Sequence, residues 1–351
     1  MLRRILALAA LGATGVVLPS TVCERGAAAW YRGDPAVVGA LADAVDRHTS
    51  GPLGPGDYGT GSPRFDGEWW FGTYQMAALG FGQTGDLPRM QTAIDRASSL
   101  EVWGFDQAAW GDLALSDLEG DPHDHAVLGY LGVALGVERE LAPEGPHAAL
   151  HDALAAHLAR RLVARGAHPL ETYPGEAYPV DNAAVLATLA LHARATGRPP
   201  DPVVEAAVRR WETAYVSEDG LVIQVVGSGR VRGSGTALSA YFLGFTHPVL
   251  ARRLTEGIHR QLAGTVLGFG AVREYRWGEE GAGDIDSGPL VAGWSISATG
   301  FSLASARRAQ DEAWFADLYG TACFAGLPGQ DGFATGGPLG NAILFAMLTA
   351  H

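Results

Sequence analysis

Stretches with the periodicity of helices recur along this chain, and the connections between them alternate between tight and long. Six of the stretches are rich in small and apolar residues. They begin near Asp66, His123, Val180, Gly235, Asp286 and Gly337, roughly 50 to 57 residues apart, which is room for a helical hairpin and its loops. Between them lie six amphipathic stretches, near 34–48, 87–99, 144–165, 200–215, 247–263 and 309–324, whose Arg and Glu mark an outward face. Each small-residue stretch ends in a tight turn, such as Thr84-Gly85-Asp86 or Thr246-His247-Pro248, and tight turns make antiparallel neighbours. Each amphipathic stretch is followed instead by a connection of about 12 to 22 residues. All the long loops therefore leave from one end, above the starts of the small-residue helices. Two of them, around Leu221–Val231 and Gly270–Trp277, alternate in the manner of short β-hairpins.

Composition removes several classes of function. All 25 basic residues are Arg and none is Lys, which excludes Schiff-base chemistry and the phosphate-binding P-loop lysine. A net charge of −13 without a basic stripe argues against a nucleic-acid partner. There is no GxSxG elbow, HExxH or CxxC, and the Gly-rich run Val226–Gly235 lacks the spacing for a dinucleotide. Two cysteines, Cys23 and Cys323, form neither a disulfide framework nor a metal site on this reading, and Cys323 reads as a small buried hydrophobe. No cofactor and no metal is expected.

The N-terminus reads as a targeting segment. Arg3 and Arg4 precede an apolar run from Ile5 to Pro19, with Ala27-Ala28-Ala29 as the cleavage region. Residues 1–29 are accordingly expected to be a signal peptide, or else an anchor giving membrane association. They should pack little against the rest, and residues 30–351 should form one exported domain.

Polar and aromatic residues concentrate where the small-residue helices begin. The first start carries Asp66, Glu68, Trp69, Trp70 and Tyr74; the second carries His123, Asp124, His125 and Tyr130. The third is Tyr173-Pro-Gly-Glu-Ala-Tyr-Pro-Val-Asp-Asn182, whose prolines hold Glu176, Tyr178 and Asp181 in a fixed relation, with Asn182 beside them. The fifth carries Asp284, Asp286 and Ser287, while the fourth and sixth are poorer, with Ser234, Tyr241 and Asn341. Helix capping accounts for one such residue per helix, and suits Asp66, Asp121 and Ser234. It does not account for clusters of carboxylates with aromatics. The expected acid–base groups are Asp286, Glu176 and Asp181, with His125 and Tyr178 as auxiliaries. Trp69, Trp70, Tyr74, Asp66, Glu68, Asp124, Asn182, Asp284 and Trp277 are the expected substrate contacts. A metal held by His123, His125 and acids is the weaker reading of the second start, because i, i+2 spacing does not put both imidazoles on one helical face.

In its loop pattern the chain resembles the (α/α)6 toroid shared by six-hairpin glycosidases, uronate lyases, sugar epimerases and some terpenoid enzymes. The resemblance spans residues 34–350 and is one of architecture. It implies an all-α fold of six helical hairpins, with long loops and short β-hairpins at one end and the cleft among those loops. It also implies an exported enzyme acting on a small-molecule or oligosaccharide substrate, a saccharide or uronate, through carboxylates. A second expectation is an isoprenoid-alcohol dehydratase or isomerase resembling linalool dehydratase-isomerase. That family's use of cysteines would fall here on Cys323 alone. A third is a non-catalytic binding protein at the cell surface.

Overall fold

The computed structural model describes residues 23–266 and 268–351. Within them the chain is mainly α-helical. Residues 23–31 are helical, and thirteen α-helices follow. In chain order these are α1 (Pro35–Thr49), α2 (Pro63–Gln83), α3 (Leu87–Ala97), α4 (Gly104–Trp110), α5 (Leu128–Leu141), α6 (Ala148–Ala164) and α7 (Pro179–Thr196). Then come α8 (Pro202–Ala214), α9 (Gly233–Leu243), α10 (Pro248–Gln261), α11 (Ile296–Arg308), α12 (Glu312–Gly326) and α13 (Gly337–Leu348). The amphipathic stretches are α1, α3, α6, α8, α10 and α12. The small-residue stretches are α2, α5, α7, α9, α11 and α13.

The small-residue helices make the core by packing on one another. α2 packs on α5, α5 on α7, α7 on α9, α9 on α11, α11 on α13, and α13 returns to α2. Glycine lets these axes approach closely. A methyl group at Gly129 would stand 2.5 Å from the Val185 nitrogen, one at Gly132 2.3 Å from Thr188 Cγ2, and one at Gly136 2.6 Å from Leu191 Cβ. Three glycines on one face of α5 thus seat α7, while Gly80 leaves room for the Phe345 ring of α13 in the same way. The helices so buried are apolar nearly all round; in α7 every residue from Ala183 to Leu189 is buried.

The two sets of helices also start differently. Asp34, Asp86, Asp201 and Asp311 each cap an amphipathic helix, accepting the amides of Ala36, Arg89, Val203 and Trp314. Of the small-residue helices only α11 has a side-chain cap, from Ser295. The expected caps Asp66, Asp121 and Ser234 are therefore corrected. Asp66 accepts the Thr60 amide, Asp121 accepts the His123 amide, and Ser234 donates to Glu274.

Four of these helices, α11 in addition to its cap, use a polar side chain near their start to hold the preceding loop. Asn182 accepts the Leu170 amide and donates to the Leu170 and Tyr178 carbonyls. Asn341 does the same with the Phe333 amide and with the Phe333 and Gly337 carbonyls. Thr236 and Thr299 accept the amides of Val222 and Val272 while donating to the carbonyls of Arg232 and Ser295. These buried bonds recur at equivalent places, so each loop is pinned over the helix it precedes.

Two expected helix starts shift. The second helix begins at Leu128, after a left-handed His125 with φ 42° that breaks the helical path. The fifth begins at Ile296, because a strand pair separates it from Asp286. Strands β1 (Ala263–Val266), β2 (Phe269–Arg273), β3 (Leu290–Val291) and β4 (Trp294–Ser295) form an antiparallel sheet in the order β1-β2-β4-β3. The other expected hairpin is a single bridge, Ile223 to Val231, and β5 (Pro328–Gly329) pairs with β6 (Gly332–Phe333).

The reading of the cysteines is corrected outright: Cys23 and Cys323 are joined by a disulfide across 300 residues of chain. Both are buried, as are Ala27 and Trp30. The expectation that residues up to about 29 pack little against the domain therefore fails for residues 23–29, while residues 1–22 lie outside the described residues. Spacing gave no hint of this pair, because the folded chain brings its two ends together.

Two measurements check this packing. Gly132→Ala is expected to lower unfolding free energy by about 1–3 kcal/mol through overpacking against Thr188. Gly39→Ala in α1, where an added methyl meets nothing within 4 Å, should raise it by about 0.5–1 kcal/mol. Replacing Cys23 by Ser should cost about 2–5 kcal/mol in the same denaturant titration, and reductant should reproduce that loss in the parent protein.

Candidate active site

The starts of the small-residue helices and the loops pinned above them enclose a cavity of about 1190 Å³. That volume admits a ligand of ordinary small-molecule size. Its lining mixes polar and apolar groups. The polar and aromatic ones include Glu68 and Trp69 from α2, Tyr130 from α5, and Tyr173, Tyr178 and Asp181 from the third loop and α7. Gln224 and Arg232 from the loop before α9 and Asp284 and Asp286 from the loop before α11 join them. Apolar side chains include Ile296 and Phe301 of α11 and Leu339, Ile343 and Leu344 of α13, with Ser297 and Thr299 of α11 beside them.

Three carboxyl groups of this lining differ in their settings. Asp181 is buried at the start of α7 and accepts hydrogen bonds from the Thr172 hydroxyl and, at 2.7 Å, from Tyr130 Oη. Burial outweighs these two donors and raises its pKa. Glu68 accepts the Tyr173 hydroxyl. Burial, opposed by that hydroxyl and assisted by the charges of Asp286 and Asp181, pushes its pKa up to about 7. Asp286 is exposed to solvent where it lines the cavity, yet protein atoms surround it closely. This burial, with the charges of Asp284 and Asp181, also pushes its pKa up to about 7, against the pull of Arg232. Gln224 Nε2 donates to it at 3.3 Å.

Asp284, two residues away, goes the other way. Burial would raise its pKa, but Arg232 Nη1 at 2.8 Å and the Ser287 amide hold it below its ordinary value. The same arginine also bonds Glu274 through Nε at 2.7 Å, so its position is fixed from two sides. The cavity thus offers two carboxyl groups that exchange protons near neutrality beside one that stays ionised. Tyr130, Tyr173 and Tyr178 are held well above the usual phenol range, chiefly by burial, and serve as hydrogen-bond donors.

Of the residues expected from sequence, the structure brings Asp286, Asp181, Tyr178, Trp69, Glu68 and Asp284 to this cavity. The others stand elsewhere. Glu176 is exposed outside it and accepts the Tyr178 hydroxyl at 2.8 Å. Trp70 and Tyr74 belong to the core, joined by an Nε1-to-Oη bond of 3.2 Å. Asp66 is engaged with its own loop. Asp124 is buried against Arg161 and Arg165 and accepts the Glu171 amide. Asn182 is fully engaged in holding Leu170. Trp277 is 59% exposed and packs edge-on against Trp294. His125 is buried in a separate cluster with Asp106, Asp112, Asp121 and His123.

Gln224 and Arg232 are cavity residues that the sequence reading passed over, and Tyr173, named at the third start, was given no role there. Tyr173 carried a signal, since it opens the same proline-stiffened loop as Tyr178. Arg232 carried none, because its partners Glu274 and Asp284 lie 42 and 52 residues away.

The raised pKa of Glu68 has a consequence for stability. Its folded value of about 7 lies above the ordinary 4.5. The contribution of its protonated form is thus whole below about pH 4.5 and lost as pH rises through 7. Glu68→Gln should melt at a higher temperature than the parent at pH 8, with the gap closing towards pH 4.5; scanning calorimetry at both pH values checks this.

No protein-family model and no curated protein sequence matches this chain.

Proposed function

We propose that this protein is an exported enzyme that uses carboxylates for acid–base chemistry on an alcohol with a hydrocarbon body, removing water or shifting a double bond. The sequential contacts of the six small-residue helices, with the last against the first, support reading the fold as a closed (α/α)6 toroid whose cleft is the cavity. One observation carries the functional reading. Glu68 and Asp286, both near pH 7 in proton affinity, line the same cavity as the apolar side chains of Ile296, Phe301, Leu339, Ile343 and Leu344. A sugar carries hydroxyls on every side, and those against these side chains would lose water without gaining partners. An isoprenoid alcohol buries its hydrocarbon there and keeps one hydroxyl for the carboxyl groups.

In this reading the Asp286 carboxyl donates its proton to the substrate hydroxyl, the carbon–oxygen bond breaks and water forms. The Glu68 carboxylate takes a proton from the neighbouring carbon, and the electrons of that C–H bond become the double bond. Passage of the proton from Glu68 back to Asp286 through the released water restores both groups. Tyr173 steadies Glu68 as a carboxylate, and Arg232 keeps Asp284 ionised nearby, which favours cationic character at the reacting carbon. The cysteines are held in their disulfide, so they contribute no thiol to this chemistry. The disulfide also suits an oxidising compartment and hence export.

Trp69 and Tyr178, which line the same cavity as the carboxyl groups, favour a second reading, in which the rings stack on a saccharide.

A panel of branched allylic alcohols of about ten carbons, aryl glycosides and uronate oligosaccharides separates the readings. The alcohols should lose water, with a bell-shaped pH profile centred near neutrality. Glu68→Gln and Asp286→Asn should each lower kcat by about 10²–10⁴-fold while remaining folded. Turnover confined to glycosides or uronates would select the second reading. Full activity in both variants, or tight binding with no turnover, would end the acid–base proposal.

A further inference from the structure

Outside the cavity, the loop before α5 gathers a second set of chemical groups. His125 is fully buried, and among the described residues neither ring nitrogen has an aligned hydrogen-bond partner. Its Nε2 stands 2.9 Å from Asp121 Oδ2 and 3.8 Å from Asp112 Oδ1. His123 Nδ1 stands 3.2 Å from Asp112 Oδ2 and 3.3 Å from Asp121 Oδ1. One donor atom from each of the four residues lies within 4.8 Å of the others. Asp112 Oδ1 is likewise buried without a hydrogen-bond partner. These nitrogen–oxygen separations bracket those of an ion's coordination shell, since donors about 2.0–2.2 Å from a tetrahedral zinc stand about 3.3–3.6 Å apart.

We infer that Asp112, Asp121, His123 and His125 bind a divalent transition-metal cation, with Asp106 as the carboxylate that orients His125. Two imidazole nitrogens and two carboxylates are a donor set for zinc-like ions, and their two negative charges balance the ion's two positive ones. Asp106 is fully buried, and its Oδ2 lies 2.8 Å from His125 Nδ1. This is where a metal-bound imidazole finds the acceptor for its other nitrogen. The i, i+2 spacing that counts against a helical site is no obstacle here. Both histidines precede α5, and the left-handed backbone at His125 turns its ring back towards His123. Side chains of His123 and Asp112 are 35% and 46% exposed, so an ion reaches the site from solvent.

The site would fasten a segment that supports the cavity. Trp110 packs on both imidazoles at 5.0 Å, and its Nε1 donates to the Thr172 carbonyl at 3.1 Å. Thr172 in turn binds Asp181. The ion's place is structural, one residue removed from the cavity wall.

The untagged full-length chain, stripped with a chelator, is titrated with Zn²⁺ against a chromophoric competitor and with Co²⁺ by visible absorption. One equivalent of Zn²⁺ should bind and raise the melting temperature, and Co²⁺ should show the intense d–d bands of a four-coordinate site. His123→Gln and Asp112→Asn, both on the solvent side, should each weaken binding at least tenfold and abolish the rise in melting temperature. Asp106→Asn should weaken binding by about 10–100-fold. Should one solvent-side variant fail to fold, the other carries the same readout. The inference is overturned if the stripped parent takes up less than one equivalent. It is also overturned if the folded solvent-side variants bind as the parent does.

Discussion

The close approach of the glycine- and alanine-rich helices is the constraint on which the rest of this structure depends. With glycine at 129, 132 and 136, α5 makes room for the α7 backbone at Val185 and for the side chains of Thr188 and Leu191, and Gly80 likewise receives the Phe345 ring. Helices packed so closely bring their first turns close as well. Whatever polar groups those turns carry must then share one space, although they lie far apart in the chain. The cavity is thus a consequence of small residues in the core as much as of the carboxylates that line it.

A second constraint follows from how the helices begin. Aspartates cap four of the amphipathic helices, at the ends of tight turns, while the buried helices use Asn182, Thr236, Thr299 and Asn341 to hold loop backbone instead. Each such bond satisfies an amide that would otherwise be buried without a partner. The loops are thereby fixed without consuming the carboxylates, and Glu68, Asp181 and Asp286 remain at the cavity. Burial raises the pKa of all three, that of Glu68 and Asp286 to about 7, as acid–base work requires.

The same economy separates two regions of the molecule. Among the described residues the cavity carboxylates other than Asp284 make no ion pair with arginine, while the cluster at His125 gathers carboxylates around imidazole. One arrangement leaves groups free to exchange protons. The other fixes them against each other in a segment that ends, through Trp110 and Thr172, on a cavity carboxylate.

The sequence by itself determined the helical periods, the six amphipathic partners and the alternation of tight and long connections, because these rest on spacing within one helix or one turn. It also placed Glu68 and Asp181 in the first turns of helices, since each lies within a recognisable helical stretch, whereas Asp284 and Asp286 lie beyond a strand pair from the helix they were expected to start. Only the tertiary structure decided which of those groups meet. Asp181 and Glu176 lie five residues apart in one stiff loop, yet one is buried in the cavity and the other faces outward. Asn182, beside Asp181, is absorbed in holding a loop whose position no local pattern reveals. The disulfide was likewise invisible, because a bond spanning 300 residues depends on where the chain returns. Periodicity records how a segment meets the core, whereas proximity between distant segments depends on how all of them pack at once.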